Sequence, residues 1–138
     1  MKQLNSYLKF NGNCREAMNF YKDVLGWKLN MVTVGESPAG DQMPAPKDSI
    51  MHSTLTKDEK VIMGSDLHWG EAHSNGNGCQ ICVNCESEKE ITDFFAKLSD
   101  GGQVTQPLID LPWGSTLGSL IDKYGKYWIL NYDKNQGK

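Results

Sequence analysis

The sequence predicts an α+β fold built from two βαβββ modules, whose curled mixed sheets surround a cleft. The first observation is the order of elements: strand, capped helix, glycine stop and three strands, followed by the same series again. The second is that the residues of the two halves barely match, so the architecture repeats while the sequence does not. We therefore expect a single domain over residues 1–138, with module one at about 1–66 and module two at about 78–133.

The first half begins with an alternating stretch at 4–10, which predicts a strand with Asn5, Tyr7 and Lys9 on one face. Asn13, with Glu16 three residues later, predicts a capping box at the start of a helix. Glycine ends that helix at position 26. A loop holding three prolines is expected at 35–47, and the remaining strands of this half are expected at 27–34, 49–56 and 60–65.

In the second half a strand is expected at 79–85, and Ser87 with Glu90 forms the second capping box. The helix ends at the glycine pair 101–102, and a strand follows at 103–108. Residues 117–121 and 127–132 then predict a terminal hairpin with its turn at 122–125. We expect the apolar pair Trp128 and Leu130 to pack against the helices. The opposite face should line the cleft with Tyr127, Ile129 and Asn131.

Composition excludes several partners. The net charge is −3 over 138 residues, and no basic patch with interleaved aromatic residues is present, which argues against nucleic acid. No apolar run approaches the roughly 20 residues that cross a bilayer. The first residues lack the apolar segment of a signal peptide. We therefore expect a soluble cytoplasmic protein with no membrane partner.

Three of the four cysteines follow the spacing C-x-x-C-x-x-C, which is also a metal-binding pattern. They are Cys79, Cys82 and Cys85, within a stretch that predicts a strand. Alternation then places Cys82 on the face opposite to the other two, which is unsuited to a shared metal. We expect buried, reduced thiols.

Several stretches together resemble a known superfamily: YLKFNGNCREAMNFYKDVLG, KDSIMHSTL, VIMGSD, LSDGGQV, PWG and DKYGKYWILN. In this order they are similar to the vicinal oxygen chelate superfamily of glyoxalase I, bleomycin-resistance proteins and extradiol dioxygenases. The resemblance is closer to its PhnB-like branch, often labelled "3-demethylubiquinone-9 3-methyltransferase-like". It covers almost the whole chain and implies a glyoxalase-like fold.

The resemblance also implies where a divalent metal would be held, on the first, fourth, fifth and eighth strands. Those positions carry Asn5, Met63, Cys79 or Gln80, and Ile129. Catalytic divalent ions take imidazole and carboxylate ligands, whereas a thioether is soft and isoleucine has no donor. We therefore expect neither the usual metal nor another cofactor. The NGNG stretch at 75–78 opens no helix, so it does not support a methyltransferase cofactor site.

His52 is the most informative remaining candidate. If Asp58 and Glu59 form a hairpin tip, Thr54 pairs with Met63 and His52 with Ser65, which turns His52 toward the cleft. There it would bind a ligand or act as an acid/base group, or it would be a hydrogen-bonded structural histidine. His68 and His73, with Glu71 between them, fit solvated loop residues better than a metal site.

Two functional hypotheses follow. The first is a metal-free homodimer that binds a small, partly apolar molecule, for which bleomycin resistance is the precedent that the resemblance supplies. The second is an enzyme of unknown reaction that uses acid/base groups of the cleft or an atypical metal site. Trp113 is expected either to cover the pocket or merely to pack. The candidate ligand-binding residues are Asn5, Tyr7, His52, Met63, Gln80, Trp113, Tyr127 and Ile129.

Overall fold

The computed structural model describes residues 1–42, 45–67 and 71–135. The chain divides into two compact units, Met1–Ser74 and Asn75–Lys138. Each unit contains one four-stranded mixed sheet and one α-helix. The predicted α+β class with two βαβββ modules is therefore confirmed.

The first unit holds sheet 1, whose strands lie in the order β1-β4-β3-β2. β1 and β4 are parallel, and the other neighbours are antiparallel. A short 3-10 helix, Gly40–Gln42, lies in the predicted proline-rich loop. The elements are β1 (Ser6–Lys9), α1 (Cys14–Leu25), β2 (Lys28–Thr33), β3 (Ile50–Lys57) and β4 (Lys60–Ser65).

The second unit holds sheet 2, with strands in the order β5-β8-β7-β6. β5 and β8 are parallel, so each sheet joins its first and last strands in parallel. In both sheets the first strand of the module lies beside the fourth, followed by the third and the second, as expected for repeated modules. The elements are β5 (Ile81–Cys85), α2 (Glu88–Ser99), β6 (Gln103–Asp110), β7 (Ser115–Ile121) and β8 (Tyr127–Asp133).

Each helix covers one face of its own sheet. A side chain at Gly64 of β4 would meet the sulfur of Met18 in α1 at 3.1 Å, which places the Gly64 face of sheet 1 against the helix. In sheet 2, Trp128 and Leu130 are fully buried, while their neighbours in β8 are only partly so. The predicted division of β8 into a packed face and an open face is confirmed. Burial of each such large apolar side chain contributes roughly 1.5–3 kcal/mol.

The two helices begin differently. Ser87 accepts a hydrogen bond from the backbone N–H of Glu90 at 3.0 Å, so the predicted cap of α2 is confirmed. The Glu90 side chain accepts its bond from the N–H of Glu86, one residue before the position that a capping box uses. Asn13 makes no side-chain cap bond, so the capping box predicted for α1 is wrong. Asp66 takes over that role, because its carboxylate accepts hydrogen bonds from the N–H groups of Gly12 and Cys14, each at 3.0 Å.

A second aspartate organises the terminal hairpin. Asp122 is buried and accepts hydrogen bonds from the backbone N–H groups of Tyr124 and Lys126, at 2.8 and 3.1 Å. It also accepts one from the indole N–H of Trp128 at 2.8 Å. The predicted turn therefore does more than reverse the chain, since its first residue fixes the largest side chain of this core.

Burial of the cysteines is only partly as expected. All four thiols are free; Cys14 and Cys85 are buried, whereas Cys79 and Cys82 are exposed. The expectation of burial is wrong for the latter two, since Cys79 precedes β5 and Cys82 faces away from the core. Burial, with smaller effects of Glu90 and Cys82, raises the pKa of the Cys85 thiol to about 12.

No helix within the described parts of the chain is long and apolar enough to cross a membrane.

Candidate functional site

The open face of sheet 1 is the face opposite α1, and it carries three of the predicted site residues. The hairpin β3–β4 has Asp58 and Glu59 at its tip, and Thr54 pairs with Met63 as predicted. Tyr7 is the register partner of Met63 on the other side. Paired residues share a face of the sheet, so Thr54, Met63 and Tyr7 form one row across β3, β4 and β1.

His52 joins this face from β3. It lies two residues from Thr54, on the same side of the strand, and pairs with Val32 of β2. The ladder between β3 and β4 ends at Ser53 and Gly64, so the predicted pairing of His52 with Ser65 lies just beyond it. His52 is half-buried.

Tyr7 and His52 form a hydrogen-bonded pair that crosses over β4. The phenol oxygen of Tyr7 lies 3.2 Å from Nδ1 of His52, and the two ring centroids are 5.8 Å apart. Because one hydrogen bond consumes one donor, the pair keeps at least one further N–H or O–H donor in either imidazole tautomer. Tyr7 is 51% exposed and His52 is half-buried, so a small molecule can approach the pair from solvent.

The open face of sheet 2 differs in chemistry. A side chain at Gly118 would collide with Phe95 of α2, so the residues beside it, Leu117 and Ser119, point to the open side. Ile129 pairs with Ser119 on one side and Cys82 on the other. Cys82 is not among the predicted ligand-binding residues, because its position opposite Ile129 depends on the register of two strands far apart in the chain.

Polar pairs flank Ile129 on this second open face. The side-chain amide of Asn131 donates to Asn84 at 3.4 Å, and the hydroxyl groups of Thr105 and Ser119 are 2.6 Å apart. The predicted residue Tyr127 lies two residues before Ile129 on the same face and pairs with Ile121. Asp133 lies on the same face at the end of β8. The residues around Ile129 itself are neutral, with amide and hydroxyl groups beside an aliphatic centre.

Two of the predicted residues lie just before the first strand of their module. Asn5 immediately precedes β1 and is half-buried, and Gln80 immediately precedes β5 and is exposed. The other fifth-strand alternative, Cys79, lies one residue further from the strand. Asn5 and Gln80 thus occupy equivalent places in the two modules, as Met63 and Ile129 do on β4 and β8.

The donor set of these positions does not fit the usual divalent metal. Amide, thioether and alkyl side chains replace the imidazole and carboxylate groups that such an ion takes. Within residues 1–42, 45–67 and 71–135, no group of three or more His, Cys, Asp or Glu side chains is placed to hold a metal ion. His73 and Glu71 lie in a segment without regular structure, and His68 lies outside the described residues.

Trp113 is held at the tip of the β6–β7 loop with its side chain 69% exposed. Its carbonyl accepts a hydrogen bond from the Asn135 side chain at 3.2 Å. Asp110 accepts hydrogen bonds from Thr116 and Lys134, at 2.7 and 3.1 Å, and these two bonds, with the charge of Lys134, lower the pKa of its carboxyl. The loop is thus fixed at its base, and the role of Trp113 as a pocket cover stays a prediction.

The fold defines the class of protein. A glyoxalase/bleomycin resistance protein/dioxygenase family enzyme from Burkholderia phytofirmans PsJN superposes with a TM-score of 0.62 over 93% of this chain and 97% of its own. The two sequences are only 12% identical, so this likeness concerns the fold alone. The chain has the glyoxalase-like fold.

The family follows from the sequence. The model of the family described as "3-demethylubiquinone-9 3-methyltransferase" matches residues 2–131. The chain therefore belongs to this family. The match shows membership of the family, and the methyltransferase of its description is the family's name.

Three relatives illustrate the similarity. Protein YjdN of Escherichia coli (strain K12) is 27% identical over an alignment of 147 residues, gaps included. The alignment covers 96% of this chain and 97% of that protein. The crystal structure of protein PA1353 from Pseudomonas aeruginosa has a TM-score of 0.86 and 37% identity over 96% and 98% of the two chains. A putative 3-demethylubiquinone-9 3-methyltransferase, PhnB protein, from Bacillus cereus has a TM-score of 0.72 and 28% identity over 95% and 99%.

Proposed function

We propose that this protein binds a small, partly apolar organic molecule on the open face of sheet 1, without the divalent metal of related enzymes. The observation that carries the proposal is the hydrogen-bonded pair of Tyr7 and His52 beside Met63. A polar pair next to an apolar floor is the usual composition of a small-molecule site.

The chemistry of the four family positions supports the metal-free part of the proposal. Asn5, Met63, Gln80 and Ile129 together offer two amide oxygens, a thioether and an alkyl group. These groups contact organic ligands readily, by hydrogen bonds and by dispersion. Tyr127 and Trp113 belong to the second unit, and their part in ligand binding stays a prediction.

An enzyme that uses acid/base groups is the second candidate. His52 is the one histidine on the open faces of the described strands, and imidazole is the side chain that most often serves as a general acid or base. Its hydrogen bond to Tyr7 orients the imidazole, as a general base requires. Sequestration stays the first candidate because bleomycin resistance supplies a precedent for it.

We further propose a cytoplasmic homodimer. Support for a dimer comes from the family resemblance, in which paired modules build the ligand site. The test of this part is given in the Discussion.

The metal-free proposal is tested by metal analysis of the purified protein together with thermal unfolding. We expect no stoichiometric metal, no rise in Tm with Zn²⁺ or Ni²⁺, and a rise in Tm with some members of a set of small aromatic compounds, because a ligand stabilises the state that binds it. A stoichiometric metal whose addition raises Tm would favour the enzyme that uses an atypical metal site.

Two matched tyrosine variants locate the ligand. Tyr7→Phe removes the phenol hydroxyl from the open face but keeps the ring, and we expect it to weaken binding of the stabilising compounds. Tyr132→Phe makes the same change on the other face of β8 and should leave binding unaltered. Equal effects of the two variants would place the ligand away from sheet 1.

A further inference from the structure

We propose that the ligand of sheet 1 is an organic anion with an apolar body, such as an aromatic carboxylate. This inference rests on the proposed function and adds to it the charge of the bound molecule. It follows from the charges of the open face, the donors of the Tyr7–His52 pair and the apolar residues beside that pair.

The open face of sheet 1 is basic in a chain whose net charge is −3. The register of the four strands assigns Lys28 and Lys9 to this face, at its two edges, and assigns to it no aspartate or glutamate of these strands. Lys9 forms an exposed ion pair with Glu71 at 4.0 Å, which water screens strongly. A ligand on this face therefore experiences a positive potential.

The open face of sheet 2 provides an internal comparison. The counterparts of Tyr7 and His52 in that sheet are Cys82 and Leu117, because Cys82 pairs with Ile129 as Tyr7 pairs with Met63. The register places no charged residue on that face beside Ile129. The basic character is therefore a property of the first module and does not follow from the repeated architecture.

The hydrogen-bonding groups of the pair also favour an anion. The free N–H or O–H that remains after the Tyr7–His52 bond is a donor, and a carboxylate is an acceptor only. Hydrogen bonds to an ionised acceptor are roughly twice as strong as neutral ones. A neutral amide of the same shape would place its own N–H groups against a face that carries two lysines.

The body of the ligand is expected to be apolar. Met63 lies at the centre of the face, flanked by Val61 on the same strand and by Thr54 on the next. Val32 beside His52 is 43% exposed, so aliphatic surface continues toward the edge of the sheet. A flat ring over Met63 would cover this surface while its carboxylate reached the polar pair.

Benzoate and benzamide form a matched pair of probes that differ in charge but hardly in shape. The whole chain, labelled with ¹³C at the methionine methyl groups, is titrated with each compound, and the Met63 signal is assigned with Met63→Leu. We expect benzoate to shift this signal with a Kd about tenfold below that of benzamide. The preference should shrink in high salt, because charge attraction is screened.

Substitutions then test the origin of the preference. Tyr7→Phe and His52→Gln should each bring the two dissociation constants close together, while Asn84→Ala, on the open face of sheet 2, should leave their ratio unchanged. Benzamide binding as tightly as benzoate would overturn the inference and leave the proposed function standing. If neither compound shifts the Met63 signal at millimolar concentration, both the inference and the site proposed on sheet 1 are wrong.

Discussion

Asp66 is a single residue whose side chain connects segments of the first unit that lie far apart in the sequence. Its carboxylate caps α1 through Gly12 and Cys14 and also accepts a hydrogen bond from the N–H of Ile50 at 2.8 Å. Asp66 is 8% exposed, so these bonds are shielded from water. One side chain thus ties the start of the helix to the start of β3, the strand that carries His52.

Asp66→Ala should destabilise the protein strongly. The substitution leaves the buried N–H groups of Cys14 and Ile50 without their acceptor, and each unsatisfied buried donor costs roughly 1–3 kcal/mol. We expect the free energy of unfolding to fall by about 3 kcal/mol or more in chemical denaturation. Asp48→Ala, at an exposed position two residues before Ile50, is the control and should change it little. A small effect of Asp66→Ala would mean that water replaces the carboxylate.

The thiols should divide into two reactive and two protected groups. Cys79 and Cys82 are exposed, whereas Cys14 is buried and the pKa of Cys85 is raised to about 12, so little thiolate forms there at neutral pH. We expect a thiol-specific reagent to modify two groups rapidly in the native protein and the rest only on unfolding. Each of the variants Cys79→Ser and Cys82→Ser should lose one of the two rapidly modified thiols, which identifies Cys79 and Cys82 as the reactive groups. Rapid reaction of Cys85 would contradict its burial.

At the scale of elements, the two helices differ in how their first turns are satisfied. α2 carries its cap in its own sequence, through Ser87 and Glu90. α1 depends on a carboxylate from the residue that follows β4. The stability of α1 is therefore coupled to the sheet, while α2 has a local start signal.

Ser87→Ala and Asn13→Ala test this difference directly. Ser87→Ala removes the acceptor of the Glu90 N–H and should lower the free energy of unfolding by about 1 kcal/mol. Asn13→Ala should have almost no effect, because the Asn13 side chain makes no cap bond. Urea denaturation of both variants measures the contrast. A loss in Asn13→Ala as large as that in Ser87→Ala would show that Asn13 caps α1 in solution.

At the scale of the whole molecule, two units of the same topology carry open faces of different chemistry. The face of sheet 1 is basic and contains the Tyr7–His52 pair, and the face of sheet 2 is neutral around Ile129. The repeated architecture thus provides two sheets of the same topology, and the side chains on their open faces differ between the modules.

The proposed dimer is tested by size-exclusion chromatography with light scattering. We expect twice the mass of one chain at micromolar protein concentration. A strict monomer under these conditions would remove the homodimer from the proposal, while the site on sheet 1 would remain open to the benzoate test.

Much of the fold follows from local patterns. The division of β8 into Trp128 and Leu130 on one face and Ile129 on the other depends only on the alternation of a strand. The face of Met63 was predictable from the two-residue tip of the β3–β4 hairpin, which fixes its register. The cap at Ser87 is equally local, because its partner Glu90 lies within the same turn.

The remainder required the folded chain, because it depends on residues that the sequence separates widely. The Tyr7–His52 hydrogen bond joins residues 45 positions apart. Asp66, which caps α1 in place of Asn13, lies 54 positions after Gly12, from whose N–H it accepts a hydrogen bond. The sequence by itself determined the α+β modules, their hairpins and the family, since these follow from short-range periodicity and ordered motifs. Only the tertiary structure decided which side chains meet on the open faces, because a strand pattern specifies the side of a residue but not its neighbours across the sheet.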